Sequence, residues 1–263
     1  KKSIGMAELE EARIKVRWGR ERRSLAMSEE DKRRTAWHEA GHALLNVLLL
    51  HAHPLHKVTI IPRGQSLGST MSLPKEEVWN RQRKEMMDMI TITMAGRIAE
   101  ESHSGDVSTG ASSDIQQATQ LARAMVCHYG MSDKLGMVQY GEDNEYIFLG
   151  RDMVRTKQYS ERTAEEIDAE VKRIIDDACR RAREMIDAHR PQLEMIVNAL
   201  LEFETLDGAQ VEEIVRTGRF TPTPLQDARS TPAAPPSAAA DTSTQPVPPK
   251  IEPGLGATAP APA

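Results

Sequence analysis

One segment of this chain can bring its chemistry together on an α-helix and so constrains the fold around it. His38-Glu39-Ala40-Gly41-His42 sets two imidazoles four residues apart, and residues at that spacing share one helix face. The flanks agree. Ser28-Glu29-Glu30-Asp31 reads as a helix start, a Ser cap followed by acids in the first turn. Ala36, Ala40, Ala43, Leu44, Val47 and Leu48 then recur near helical spacing, which predicts one helix over 29–50. Gly41 inside it costs roughly 1 kcal/mol against Ala. A glycine there fits a place where a metal site or another backbone comes close.

The same five residues carry chemistry. Both rings can face one metal ion, and Glu39 follows the first histidine directly. The pattern supplies two ligands and a general base for metal-assisted hydrolysis. Zn²⁺ suits it, since zinc accepts imidazole nitrogen and carboxylate oxygen with one position left open. A third protein ligand is then needed. A Gly and a His at the third and sixth positions after His42 would complete a metzincin motif, but those positions hold Leu45 and Leu48. His51, His53 and His56 read as an exposed turn around Pro54. Two carboxylates remain. Glu100 closes a helical segment over 76–102, where the helix-borne Glu of gluzincins would stand. Asp114 opens a helix over 114–128 after a run of small residues, where it also reads as a capping carboxylate. Spacing leaves Glu100 and Asp114 level.

Composition favours a mostly helical domain. Aromatic residues make up 4% of the chain while Ala, Met, Leu, Glu and Arg are common. The net charge of −5, with both signs interspersed, gives no case for a nucleic-acid partner. The 2 cysteines, Cys127 and Cys179, sit in helical patterns, fit a reducing compartment and read as inert core thiols. No apolar run approaches the length of a membrane span. From about Thr221 onward Pro and Ala dominate, and such a segment cannot bury enough surface to offset its ordering entropy.

Helices are expected at 7–18, 29–50, 76–102, 114–128, 159–189, 192–202 and 208–216. The β-branched piece 57–61 and the piece 67–72 should form a hairpin around Arg63-Gly64, with small β pieces at 137–140 and 146–149. Gly68, Ser69, Thr70 and Met71 are the expected substrate-binding edge, since zinc peptidases commonly hold an unfolded chain as an added strand. Met86, Met87, Met89 and Met94 read as packing.

Five motifs follow one another in order: HEAGHAL from His38, HKVTIIPRG from His56, AGRIAEE from Ala95, STGASSDIQQAT from Ser108 and HYGMSDKLG from His128. Over about Lys2 to Gly218 the chain resembles the peptidase domain of FtsH-type membrane-anchored, ATP-dependent zinc metalloproteases. The resemblance implies a helical zinc metallopeptidase domain with a Zn²⁺ ion on His38, His42 and Asp114, the Asp of TGAS-x-D. Glu39 is then the base, and Glu100 supports the site. It also implies endoproteolysis of unfolded or membrane-extracted polypeptides by a homo-hexamer at the cytoplasmic side of the cell membrane.

That family carries membrane spans and an AAA+ module before the peptidase. No GxxxxGK[ST] phosphate loop occurs here, so ATP would act only through an absent module. The chain is expected to be a soluble C-terminal piece of a longer protein. Residues 1–23 resemble the end of the ATPase lid and its connector, 24–218 the zinc peptidase domain, and 219–263 a disordered tail. Two rival readings are a catalytically silent oligomerisation module and a non-peptidase metallohydrolase. The intact His38, Glu39, His42 and Asp114 argue against the first.

Overall fold

The histidine-bearing helix is the element around which the others pack. The computed structural model describes residues 4–22, 24–74, 79–141 and 159–222. The expected tail beyond 222, the strand piece 146–149 and the expected helix start at Glu76 lie outside them. In chain order the elements are α1 Met6–Trp18, α2 Glu29–Leu48, β1 Leu55–Thr59, β2 Ser69–Ser72, α3 Arg83–Ser104, α4 Ser112–Cys127, α5 Glu161–Ala188, α6 Arg190–Phe203, β3 Thr205–Asp207 and α7 Gly208–Thr217.

Helix α2 starts where its cap predicts: Ser28 Oγ accepts from the Asp31 N–H at 3.0 Å. Its residues Ala36, Ala40, Ala43, Leu44 and Leu45 are buried, and it packs against α3, α5, α6, α7 and both β1 and β2. Helix α5 lays Ile167, Ile174, Ala178, Ala182 and Ile186 into the core and runs along α3 and α4. One ion pair fixes that packing. Buried Asp88 of α3 accepts from Arg181 of α5 at 2.6 Å and from the His51 N–H at 3.2 Å.

Three expectations need correction. Helix α3 begins at Arg83, because the apolar pattern that buries it starts only at Met86, while Trp79 is exposed and Gln82 is extended at φ −82°, ψ 155°. Residues 137–140 form no strand. Their end is tied instead to a helix, with the Tyr140 N–H donating to Cys127 O at 2.9 Å. The hairpin is in fact part of a three-stranded antiparallel sheet of order β2-β1-β3.

Central β1 pairs Val58 with Thr70 of β2 and with Leu206 of β3. Val58, Met71 and Leu206 are wholly buried and tie the sheet to the core. Glu204, at φ 58°, turns the chain out of α6, and its carbonyl accepts from the Ile60 N–H at 2.9 Å. Asp207 closes β3 and caps α7, accepting from the Gln210 N–H at 3.1 Å.

The sheet and α7 meet backbone to backbone. A Cβ at Gly208 would lie 1.9 Å from Leu55 O. Gly208→Ala must therefore push α7 off β1, and it is expected to lower unfolding stability by about 1–3 kcal/mol or more. A urea melt of the variant against the parent checks this.

Candidate metal centre

Helices α2 and α3 cross at unusually close range, and small residues make the crossing possible. A Cβ at Gly41 would stand 2.6 Å from Ala95 O and 2.7 Å from Ala99 Cβ. A Cβ at Gly96 would stand 2.5 Å from His42 Nε2 and 2.7 Å from His38 Cε1. Helix α3 thus passes directly over the two imidazoles, with no side chain at Gly96 where it comes closest to them.

The same helix orients both rings. His38 Nδ1 lies 2.6 Å from Glu100 Oε1, and His42 Nδ1 lies 2.7 Å from Ile92 O. A carboxylate and a carbonyl only accept, so each Nδ1 is the donor, which leaves each Nε2 to face an ion. The two Nε2 atoms face each other at 3.0 Å. Asp114, in the first turn of α4, brings Oδ2 to 3.1 Å from His38 Nε2 and 3.7 Å from His42 Nε2. Among the described residues, His38, His42 and Asp114 are the group that can hold a metal ion.

This donor set fits Zn²⁺. Nitrogen and oxygen ligands about 2.0–2.1 Å from a tetrahedral zinc stand roughly 3.3 Å apart, and the three separations here bracket that value. The charges point the same way. Burial disfavours an imidazolium at His38, yet the hydrogen bonds to Asp114 and Glu100 outweigh it and push its pKa up to about 10. The carboxylates around the Nε2 pair call for positive charge, which a proton on His38 supplies here and a bound dication would supply in its place. Burial by itself would raise the carboxyl pKa of Asp114, but the two imidazoles hold it far below the usual carboxylate range. Glu100 is also held low, against its burial, by His38 and by Ser108, whose Oγ donates to Oε2 at 2.7 Å.

Glu100 and Asp114 both reach His38, on opposite ring nitrogens. Only Asp114 meets the Nε2 pair. Glu39 is buried, and Thr70 Oγ1 donates to its Oε2 at 2.6 Å. A cleft of about 1050 Å³ runs past His38, Glu39, His42, Ser69, Thr70 and Asp114. Of the four edge residues, Gly68 lies against Glu39, and Ser69 and Thr70 are half-buried. Met71 is wholly buried, so its side chain belongs to the core. His51, His53 and His56 stand apart, with His53 3.8 Å from Glu85 and His56 2.9 Å from Glu10.

Sequence reasoning missed Gly96, Ser108 and the Thr70–Glu39 bond. An isolated glycine within a helical pattern was the available signal for Gly96. No local pattern marks Thr70.

A mostly helical domain with two imidazoles from one helix and a carboxylate from another defines a helix-borne metal-site protein of the HExxH type. The model of Peptidase family M41 matches residues 25–214, and the chain belongs to that family. It is 53% identical over 227 residues to ATP-dependent zinc metalloprotease FtsH 2 of Methylacidiphilum infernorum, covering 86% of this chain and 35% of the relative. It is 49% identical to the FtsH of Akkermansia muciniphila, over 85% of this chain and 29% of that protein. The FtsH of Myxococcus xanthus is 47% identical, over 84% and 35%. The chain thus spans about a third of the length of these curated relatives. Among the described residues no helix is long and apolar enough to cross a membrane.

Gly96→Ala is expected to displace one imidazole and to weaken zinc binding by about tenfold or more, as disturbed ligand orientation does elsewhere. Competition against a chelating dye measures it, and circular dichroism should show unchanged helicity.

Proposed function

We propose that this domain is a zinc-dependent endopeptidase that cleaves unfolded or extended polypeptides. One observation carries the reading. His38 Nε2, His42 Nε2 and Asp114 Oδ2 meet at 3.0, 3.1 and 3.7 Å beside the buried carboxylate of Glu39. His38, His42 and Asp114 would hold the ion. When bound, zinc supplies Lewis acidity, which acidifies water and polarises a peptide carbonyl.

The chain's own groups do the rest. Glu100 and Ile92 O hold the imidazoles in the tautomer that turns each Nε2 toward Asp114. The Glu39 carboxylate takes a proton from the attacking water and returns it to the leaving amine nitrogen. An extended substrate adds as a strand along Gly68, Ser69, Thr70 and Met71, at the free edge of β2, the outer strand of the order β2-β1-β3. Met71 contributes its main chain only.

The relatives' names support ATP dependence of the whole protein, and the family resemblance supports a wider setting. In that setting residues 1–23 are the end of the ATPase lid and its connector, and 24–218 are the peptidase domain. The whole protein is ATP-dependent, membrane-anchored with this domain on the cytoplasmic side, and closes into a six-membered ring. The ring follows from the family resemblance. Sedimentation at tens of micromolar checks it, roughly the range that populates a weak interface. A concentration-dependent hexamer is expected, and a strictly monomeric profile would shift assembly onto the ATPase module.

Zinc content and cleavage of unfolded casein test the enzyme reading. The parent chain is expected to bind a single zinc ion and to lose activity with a chelator. Glu39→Gln should keep zinc and lose activity by about 10²–10⁴-fold. Asp114→Ala should lose most zinc, whereas Glu100→Ala should retain it with affinity weakened roughly ten- to a hundredfold. A zinc-loaded chain with no cleavage would favour a silent assembly module.

A further inference from the structure

We infer that Thr70 is the positioning residue for Glu39, so that the strand receiving substrate also aims the base. The inference rests on the proposed role of Glu39. Thr70 Oγ1 carries one hydrogen and has two acceptors in reach, Glu39 Oε2 at 2.6 Å and Glu39 O at 3.2 Å. The carboxylate bond is the shorter and charge-assisted, and takes the proton. Among the described residues no other hydroxyl or amide donates to this carboxylate. Its second oxygen, Oε1, faces Gly68, where a Cβ would stand 2.8 Å away. Thr70 therefore occupies Oε2 and leaves Oε1, over a glycine, free to receive the proton of the attacking water.

Thr70 is itself well fixed. Its register partner is Val58 in the central strand, and its neighbour Met71 is wholly buried. A β-branched side chain on a strand has restricted χ1 freedom. Glu39, by contrast, has a long flexible side chain on α2 and, among the described residues, no ion pair to hold it. The hydroxyl supplies the missing constraint across the gap between helix and strand.

The zinc-loaded chain carrying Thr70→Val tests this, with Thr70→Ser and Glu39→Gln beside it. Valine keeps the β-branched shape and removes only the donor. On a fluorogenic peptide, Thr70→Val is expected to lower kcat about ten- to a hundredfold with KM within about twofold. Zinc content and melting temperature should be unchanged. Thr70→Ser should recover most of the lost kcat. A crystal structure of zinc-loaded Thr70→Val should show the Glu39 carboxylate turned away from its parent position.

Parent-like kcat in Thr70→Val, while Glu39→Gln is inactive, would overturn this inference alone. So would a loss confined to KM, which assigns Thr70 to strand binding, or a Glu39 carboxylate that has not moved. Activity in zinc-loaded Glu39→Gln would overturn the role of Glu39 and this inference with it.

Discussion

The close crossing of α2 and α3 is the constraint on which the site depends. Side chains usually keep packed helices about 8–10 Å apart. Here Gly41 meets the Ala95 carbonyl and Gly96 meets the imidazoles, so backbone replaces side chain at the contact. Nearness then becomes function. The helix that covers the rings also holds their Nδ1 atoms, through Ile92 O and Glu100. His42 pairs with the earlier of these residues and His38 with the later, as antiparallel helices require. One crossing sets both tautomers and both ring directions.

Electrostatics builds on that frame. Glu39, Glu100 and Asp114 crowd into one cleft wall, where uncompensated carboxylates would be costly. Two of them bond imidazoles, and Ser108 takes the remaining oxygen of Glu100. Glu39 is answered by a neutral hydroxyl and bonds no imidazole. The acids thus divide by their partners into two that shape the ring nitrogens and one kept open toward the cleft.

Much of this was legible in the sequence, and the gaps have physical causes. Helix α2 announces itself through its Ser cap, its periodic apolar face and its i, i+4 histidines, all local signals. The tie between Glu100 and Asp114 could not be broken by spacing because both do approach His38, at 2.6 and 3.1 Å, on different nitrogens. Which nitrogen each meets depends on the helix crossing, and the family resemblance rather than any local pattern singled out Asp114. Strand β3 was invisible for another reason: three residues cannot display an alternation. Thr205–Asp207 is a strand because β1 lies beside it, a tertiary fact. The late start of α3 has a local cause instead: Trp79 is exposed and residues 80–82 are polar, with no face to bury.

The sheet closes over a long stretch of chain, and that bears on the order of assembly. All three donors of the candidate centre lie at or before residue 114, and so does Thr70 on the sheet edge. The partner that covers the far side of β1 begins at Thr205. A ribosome makes the chain from its N-terminus, and pairings across such separations form late because loop-closing entropy must first be overcome. The nascent chain would therefore present its metal-binding groups well before the strand and helix α7 that brace the substrate edge. Completion of the fold waits on α7, the last helix among the described residues.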